Sequence, residues 1–288
     1  MSRLFEALQR SEPEGFGFDF AQPQPLENEP PKTAESELLK IVETDTHEFG
    51  RFPSLPISLS QDGRLISLSE EASLGAEKFR FLAVRLKQIQ RARHLKKLLI
   101  TSTIPEEGKS TVSGNLAVTL ARRKEQKVLL LEGDLRRPVL ARQFGLAHLA
   151  GLSECLQGES RPITSIYHLD GAGLWFLPAG KPPENPLELM QSGRLSELLD
   201  QLTAWFDWII IDSPPILPLA DTSVWTRFAD GVLLVAREGT TQKRQLQRGL
   251  ETLDQAKLLG MVLNSCTNAD HSNYYQRYGP VAPPPRQR

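Results

Sequence analysis

Short, nearly all-apolar runs alternate with longer helical patterns along most of the chain after residue 69. Six runs of four or five residues lie at 98–101, 128–131, 174–177, 208–211, 232–236 and 261–264. Segments with apolar residues at helical spacing lie between most of them, such as 186–205 and 241–256. The strands of a parallel sheet have this pattern, because helices cover both faces of the sheet and leave no polar face. The sequence therefore predicts an α/β fold, with a mostly parallel central sheet between two layers of helices.

The same pattern divides the chain into four parts. Residues 69–268 carry the alternation and are predicted to form one folded domain, which opens with a helix in SEEASLGAEKFRFLAVRLKQIQ. Residues 11–68 are rich in proline and acidic residues and bury too little apolar surface to offset the entropy of ordering, so they are predicted to be a disordered linker. Residues 1–10 contain a candidate short helix, and residues 269–288 are predicted to be a disordered tail with tyrosines and prolines.

Composition excludes several classes of function. The 288 residues carry a formal net charge of -1, which lacks the basic excess of a general nucleic-acid binder. The two cysteines, Cys155 and Cys266, lie far apart and are typical of free thiols in a reducing compartment. No apolar run approaches the roughly 20 residues of a membrane helix, and the N-terminus lacks a signal-peptide pattern. We therefore expect a cytoplasmic protein with no direct membrane span and no nucleic-acid partner.

A candidate phosphate-binding loop follows the first of the six runs. In the segment ITSTIPEEGKST, Gly108, Lys109 and Ser110 stand at the start of a helical pattern, where unpaired amides and the helix dipole favour anions. Gly108 lets the backbone approach a phosphate, Lys109 is predicted to reach the outer phosphates, and the Ser110 hydroxyl is predicted to bind Mg²⁺. The predicted nucleotide-binding set also includes Glu107 and Thr111.

Carboxylates follow two further apolar runs. Glu132 and Asp134 come after the strand in VLLLEGDLRRP, and Asp212 ends the strand in WIIIDSPP. The carboxyl ends of parallel strands lie at the edge of the sheet where nucleotides bind. Phosphoryl transfer needs metal ligands and a base there. We therefore predict that Lys109, Glu132, Asp134 and Asp212 are catalytic, and that Ser110, Asp134 and Asp212 are metal ligands.

Together, PEEGKST, LLLEGDLRRP and IIIDSPP resemble the Walker A, A′ and B motifs of the bacterial tyrosine kinases. These kinases act in capsule and exopolysaccharide production and belong to the P-loop ATPases. Supporting stretches are GLSECLQG, LPAGKPPENPLELMQS and GVLLVAREGTT followed by GMVLNS, so the resemblance extends from about residue 77 to about 265. It implies a P-loop three-layer sandwich that uses ATP and Mg²⁺.

The resemblance also implies acceptors and partners. In the family, phosphate passes to tyrosines near the C-terminus of a neighbouring subunit, and the matching segment NYYQRYGP holds Tyr274, Tyr275 and Tyr278. Asn264 matches a position that contacts adenine in related ATPases. A homo-oligomer is implied, as is a membrane-embedded polysaccharide co-polymerase that activates the kinase and recruits it to the inner face of the cell membrane.

Several positions depart from the family's pattern. Thr103 replaces the usual first glycine of the phosphate loop. Glu132 replaces an aspartate proposed to take the tyrosine proton, and its longer side chain moves the carboxylate by about 1.5 Å. Misplacement of about 1 Å can lower a rate roughly 100-fold, so kinase activity depends on how Glu132 is held. The oligomerisation pattern Glu-x-x-Arg-x-x-Arg fits Glu77 and Arg80, but Ala83 stands at the second arginine, for which Arg85 is a candidate substitute.

Two other functions remain open on the sequence. A partition or septum-positioning ATPase carries a signature lysine early in the phosphate loop, where this chain has Ile104. An ATP-binding regulatory switch with little kinase activity is the second alternative, and Glu132 is the residue that favours it. An iron-sulfur carrier ATPase is disfavoured because the chain has no CxxC motif.

Overall fold

The computed structural model describes residues 49–59, 64–122, 126–217 and 220–265. The candidate helix at 1–10, the predicted linker as far as residue 48, and the predicted tail at 269–288 lie outside the described residues. The three candidate acceptor tyrosines are in that tail. Among the helices that the structure describes, none combines the length and the apolar composition needed to cross a membrane.

Within the described residues, eight strands form one sheet. They are β1 (Ser54–Pro56), β2 (Lys97–Ser102), β3 (Val128–Glu132), β4 (Tyr167–Asp170), β5 (Leu174–Leu177), β6 (Trp208–Asp212), β7 (Gly231–Arg237) and β8 (Leu258–Asn264). Their order across the sheet is β1-β4-β5-β3-β6-β2-β7-β8. Every neighbouring pair is parallel except β4 and β5. The six apolar runs of the sequence lie in β2, β3, β5, β6, β7 and β8, so the predicted mostly parallel sheet is confirmed.

Helices connect the strands and cover both faces of the sheet. In the described part of the chain they are α1 (Ile66–Ser69), α2 (Leu74–Ala92), α3 (Lys109–Ala121), α4 (Leu140–Gln143), α5 (Leu152–Gln157), α6 (Pro162–Ser165), α7 (Pro186–Gln191), α8 (Gly193–Trp205), α9 (Asp221–Phe228) and α10 (Lys243–Thr252). Parallel strands need such crossover connections, because a short hairpin can join only antiparallel neighbours.

Two hydrophobic cores lie on opposite faces of the sheet. Leu98 and Ile100 of β2 belong to the core that includes α2 and α3, whereas Leu99 belongs to the core that includes α8 and α9. Successive side chains of a strand point to opposite faces, so a strand that serves two cores must be apolar at every position. This requirement explains the uninterrupted apolar runs. It also places α3 deep in the protein, where every residue except Lys109, Thr111 and Thr119 is buried.

The folded unit begins before the boundary at residue 69 that the sequence predicts. Residues 49–59 pack at the edge of the sheet, where Phe52 is 6% exposed, and residues 64–68 pack against α3, where Leu65 is completely buried. Strand β1 pairs with β4 at the edge of the sheet, a position that tolerates Pro56, which has no N–H to donate. These residues have no periodic pattern of their own, and their burial depends on distant partners. Residues 52–56 contact β4 and α8, more than 100 positions away, and Ser67 bonds to Asn115 of α3, 48 positions away.

The partial oligomerisation pattern lies on α2. Glu77 and Arg80 form an ion pair on the surface of this helix. Ala83 is buried against the core, at 6% exposure, so position 83 does not present its side chain to solvent. Arg85 is exposed and lies over the ring of Phe81, 5.5 Å from its centroid. The described surface of this helix therefore carries Glu77, Arg80 and Arg85.

Asp230 joins the starts of two neighbouring strands. Its Oδ2 atom accepts hydrogen bonds from the backbone N–H groups of Lys96 and Lys97 at 2.9 and 2.8 Å. Its Oδ1 atom lies 3.1 Å from Lys97 Nζ. Burial raises the pKa of Asp230, but the two amides and the Lys97 ammonium outweigh burial and leave the pKa below the ordinary value of 3.8. The folded state therefore stabilises the ionised carboxylate.

Replacing Asp230 with asparagine is expected to lower the free energy of unfolding at neutral pH by about 1–3 kcal/mol, because two partly buried amide groups lose a charged acceptor. Since the folded pKa is depressed, this stability is present above pH 3.8 and is lost as the pH falls through the folded value. Urea unfolding at a series of pH values from 7 downward measures this contribution to stability. Asp200→Asn, on the exposed side of α8, is the matched control. If the loss of stability in Asp230→Asn does not become smaller as the pH falls, the stabilising role assigned to the ionised Asp230 carboxylate is contradicted.

Candidate nucleotide and phosphoryl-transfer site

The loop between β2 and α3 turns sharply just before the helix. Gly108 caps α3 with a φ angle of 93°, in the left-handed region. A Cβ atom at this position would lie 2.1 Å from the Nδ2 atom of Asn264. Both the backbone conformation and the available space therefore require glycine. The first amides of α3, from Lys109 onward, have no partner within the helix and are available to an anion.

Glu107 and Asn264 hold this loop from behind. The Glu107 side chain is completely buried, and its carboxylate accepts hydrogen bonds from the Ile104 backbone N–H at 2.9 Å and from the Thr241 hydroxyl. Asn264 donates from Nδ2 to the Glu107 carbonyl at 3.0 Å. Neither side chain borders the cleft in front of the loop. Both side chains therefore hold the loop in place, and their contact with a nucleotide stays a prediction.

Thr103 occupies the position where phosphate loops usually carry their first glycine. Its side chain is completely buried and packs against Gly249 of α10, where an added Cβ would lie 3.1 Å from Thr103 Cγ2. Thr103 does not border the cleft. The substitution therefore leaves the phosphate side of the loop open, because a glycine in the neighbouring helix accommodates the threonine.

The predicted charged residues converge at the carboxyl ends of β3 and β6. Lys109 Nζ lies 3.1 Å from Asp134 Oδ2. Asp212 ends β6 and is 1% exposed, and its Oδ1 atom accepts a hydrogen bond of 3.1 Å from the Ser113 hydroxyl. The Asp134 carboxylate also accepts a bond of 3.0 Å from the Arg137 backbone N–H, which fixes the start of the following loop.

Burial and charge act in opposite directions in this cluster. Burial raises the pKa of Asp212 to about 6, against the effect of the Lys109 ammonium and of the hydroxyls of Ser110 and Ser113. Burial lowers the pKa of Lys109, but the charges of Asp212 and Asp134 outweigh it and raise that pKa above 10.5. Lys109 is therefore a fixed positive charge at neutral pH, and the carboxylates beside it compensate that charge.

Glu132 ends β3 and is the register partner of Asp212 across the sheet. It is 1% exposed, and its two carboxylate oxygens accept backbone hydrogen bonds from Leu140 at 2.6 Å and from Ala179 at 3.1 Å. Burial raises the pKa of Glu132 to about 7, opposed by these amides and reinforced by the charge of Asp212. Glu132 borders a second cavity of about 750 Å³, between α4 and segment 178–182, rather than the cleft beside Lys109.

The cleft in front of the loop has a volume of about 790 Å³, which is within the usual range for small-molecule sites. Five of the predicted site residues border it: Gly108, Lys109, Ser110, Thr111 and Asp134. The structure thus brings the glycine, the lysine and the two hydroxyl side chains to one surface. Asp212 lies directly behind them, within electrostatic range of Lys109 and Ser110.

Four arginines that the sequence analysis did not single out also border this cleft: Arg64, Arg136, Arg137 and Arg237. Guanidinium groups match phosphate in charge and geometry, so the rim suits a polyphosphate. Arg136 and Arg137 lie within the motif DLRRP, so the sequence itself indicates that they are near the site. Arg64 and Arg237 had no local signal, because only the fold brings them to the cleft.

The donor set suits a magnesium ion held together with a nucleotide. In the described part of the chain, the buried Oδ2 atom of Asp212 has no hydrogen-bond partner, and a cation would offset the cost of burying it. Ser110 and Asp134 add a hydroxyl and a carboxylate, which are oxygen ligands of the kind Mg²⁺ prefers. Among the described residues no three His, Cys, Asp or Glu side chains form a metal centre by themselves. Mg²⁺ in proteins is usually held by one or two carboxylates plus substrate phosphates.

Comparison with known proteins identifies relatives of this fold and site. No protein-family model matches the chain. The chain is 36% identical over 212 residues to tyrosine-protein kinase YwqD of Bacillus subtilis (strain 168), a match that covers 73% of this chain and 89% of that protein. In longer relatives from Acinetobacter johnsonii and Escherichia coli (strain K12), also called tyrosine-protein kinases, the matched region makes up 23% of the protein.

Solved structures agree with these relatives. The chimerical protein CapA2B2 superposes with a TM-score of 0.68 at 31% identity, covering 80% of this chain and 99% of that one. The kinase domain of the Escherichia coli tyrosine kinase ETK superposes with a TM-score of 0.66 at 28% identity, covering 78% of this chain and 96% of that one.

Proposed function

Because the chain belongs to the family of bacterial tyrosine-protein kinases, we propose that it transfers the γ-phosphoryl group of ATP to tyrosines on a second copy of itself. The observation that carries this proposal is the convergence of Lys109, Asp134 and Asp212 at the phosphate loop. Following the family, the phosphorylation would regulate capsule or exopolysaccharide synthesis and export.

In this proposal the phosphates of ATP lie against the N-terminus of α3. Lys109 exchanges its contact with Asp134 for one with the outer phosphates, and the exchange frees the Asp134 carboxylate. Ser110, Asp134 and Asp212 would hold Mg²⁺, which when bound neutralises charge on the phosphates. The backbone amides of Gly108 to Thr111 complete the binding of the phosphates, since a helix N-terminus favours anions.

Glu132 is the proposed base. The phenolic oxygen of the acceptor tyrosine forms a bond to the γ-phosphorus, the bond from that phosphorus to the ADP oxygen breaks, and the phenolic proton passes to Glu132. A pKa of about 7 suits this task, because a general base works best near the operating pH. The two amides of Leu140 and Ala179 hold the carboxylate in one orientation, so its position depends on these contacts as well as on the length of the side chain.

The proposed acceptors are Tyr274, Tyr275 and Tyr278. Tyr274 lies ten positions after Asn264, the last residue of β8, and a segment of that length spans at most about 36 Å. Such a reach favours a neighbouring subunit over the chain's own site, where the path would be tighter. The proposal therefore includes a homo-oligomer whose subunits phosphorylate each other.

A mixing experiment tests the transfer between subunits. One protein carries Lys109→Met and keeps its tyrosines, and the other is active but carries phenylalanine at 274, 275 and 278. Incubation with labelled ATP and Mg²⁺ is expected to place phosphotyrosine on the Lys109→Met chain, mapped by mass spectrometry to the three tail positions. The Lys109→Met protein incubated alone is the control and should remain unlabelled.

Two outcomes of the mixing experiment would contradict the proposal. Label confined to Tyr167, which is buried in β4, would exclude the tail as acceptor. Absence of label on the Lys109→Met chain, while the unaltered protein labels itself, would exclude transfer between subunits.

The family resemblance also supports a proposal for partner and location. The chain would be cytoplasmic and would be recruited to the inner face of the membrane by a membrane-embedded polysaccharide co-polymerase that activates it. Adding the purified cytoplasmic segment of such a partner to the labelling reaction is the direct test, with an increase in phosphotyrosine as the expected result.

A further inference from the structure

A buried carboxylate lies behind one of the cleft arginines. Asp221 is the first residue of α9 and is 1% exposed. Its two oxygens accept hydrogen bonds from Arg136, with Nε to Oδ2 at 2.6 Å and Nη2 to Oδ1 at 3.1 Å. The pair is bidentate and joins the loop after β3 to a helix 85 positions further along the chain.

Arg136 keeps donors for a ligand after this pairing. A guanidinium has five N–H groups, and Asp221 takes two of them. Within the described ranges, the remaining N–H groups of Arg136 have no protein acceptor. The side chain is 38% exposed and borders the cleft next to Lys109 and Asp134. The free edge of the guanidinium is therefore available on the phosphate side.

Helix α9 is itself fixed to both loops that carry the catalytic carboxylates. Trp225 donates from Nε1 to the Gly133 carbonyl at 3.2 Å, directly before Asp134. Thr222 donates to the Pro214 carbonyl at 2.9 Å, two residues after Asp212. The position of Asp221 relative to the site is therefore set by contacts on either side, and the guanidinium that it holds is pre-organised.

The other arginines of the cleft are held differently. Arg237 reaches the Glu106 carbonyl from Nη1 at a long 3.4 Å, and Arg137 contacts Asp134 through its backbone N–H rather than its guanidinium. Among the described residues, no carboxylate pairs with the side chain of Arg64, Arg137 or Arg237. Arg136 alone combines a bidentate buried partner with access to the cleft.

We propose that Arg136 binds the outer phosphates of ATP and that Asp221 is the positioning residue that aims it. The inference rests on the proposed function, because it adds one donor to the same phosphate site. A pre-organised cation next to the transferring group stabilises charge that develops during transfer without having to reorient. Lysine at position 136 would retain the charge but not the bidentate geometry.

Three variants of the full chain test the pair: Asp221→Asn, Arg136→Ala and the two combined. Asp221→Asn is expected to lower kcat about 100-fold, as misplacement of about 1 Å does, while changing KM for ATP by less than about threefold. In Arg136→Ala, calorimetry should show that the affinity for a non-hydrolysable ATP analogue falls about tenfold or more relative to the affinity for ADP. A decrease of this size corresponds to the loss of one charged hydrogen bond. The double variant should lose no more activity than Arg136→Ala alone, because both substitutions remove the same interaction.

Matched controls are Arg227→Ala, an exposed arginine on the same helix, and Asp200→Asn, an exposed carboxylate on α8. Both should behave like the parent. The proposal is overturned if the variants lose only thermal stability, with kcat and the preference for the ATP analogue over ADP unchanged, since the pair would then be a structural tie. It is also overturned if Asp221→Asn lowers kcat further in the Arg136→Ala background. If the parent transfers no phosphate to tyrosine, the proposed function fails, and the ATP-to-ADP affinity ratio still decides the role of Arg136.

Discussion

Replacing Lys109 with methionine is expected to lower tyrosine phosphorylation by about 10²–10³-fold, the usual effect of removing one donor to developing charge. The affinity for ATP should also fall, by about tenfold or more, since a charged hydrogen bond to phosphate is lost. The physical reason is the position of the amine, which stands at the first residue of α3 and stays charged because Asp212 and Asp134 raise its pKa. Methionine retains most of the volume of the side chain and removes the charge.

Isothermal calorimetry with ATP and Mg²⁺ and a phosphotyrosine assay measure the two losses. Lys243→Met is a matched control, because Lys243 is also the first residue of a helix but is exposed and lies away from the cleft. The variant must be shown to be folded, since Asp212 loses its counter-charge when Lys109 is removed. Equal nucleotide affinity in folded parent and variant would refute the assignment of Lys109.

Glu132→Gln is expected to lower phosphoryl transfer by about 10²–10⁴-fold, the range of general-base contributions, with little change in affinity for ATP. The separation of the two effects follows from the structure, because Glu132 lies outside the cleft that Lys109 borders. Glutamine cannot take a proton. Its NH₂ group replaces one carboxylate oxygen and cannot accept a hydrogen bond, so the backbone amide of either Leu140 or Ala179 loses its acceptor. A moderate loss of thermal stability should therefore accompany the loss of rate.

Single-turnover kinetics and calorimetry on the same preparations measure the two quantities for Glu132→Gln. Glu184→Gln, at an exposed position, is the control for loss of a carboxylate. Glu132→Asp adds a second comparison, since the shorter side chain cannot reach both amides and should be less stable than the parent. If Glu132→Gln loses stability but keeps its rate of phosphoryl transfer, the role of Glu132 is to hold two loops together, and another group accepts the phenolic proton.

Much of this protein was determined by local sequence. The six apolar runs specify six strands of the sheet, because a strand covered on both faces must be apolar at every position. The phosphate loop was equally readable, since Gly108 and Lys109 follow a strand and precede a helix within one short segment. Glu132, Asp134 and Asp212 could be placed at one edge because parallel strands in a sheet end together.

Other features depended on contacts that no local pattern records. Strand β1 forms only because β4 offers an edge more than 100 residues later, and its three residues carry no periodicity. Glu107 and Asn264 are predicted from their motifs to touch the nucleotide, and only the fold shows that both side chains also hydrogen-bond the backbone of the phosphate loop. The motif DLRRP contains two arginines of equal appearance, and only Asp221, buried 85 positions later, distinguishes Arg136 from Arg137. Sequence determines which residue types follow a strand, whereas the direction of each side chain is decided by the partners that the folded chain brings beside it.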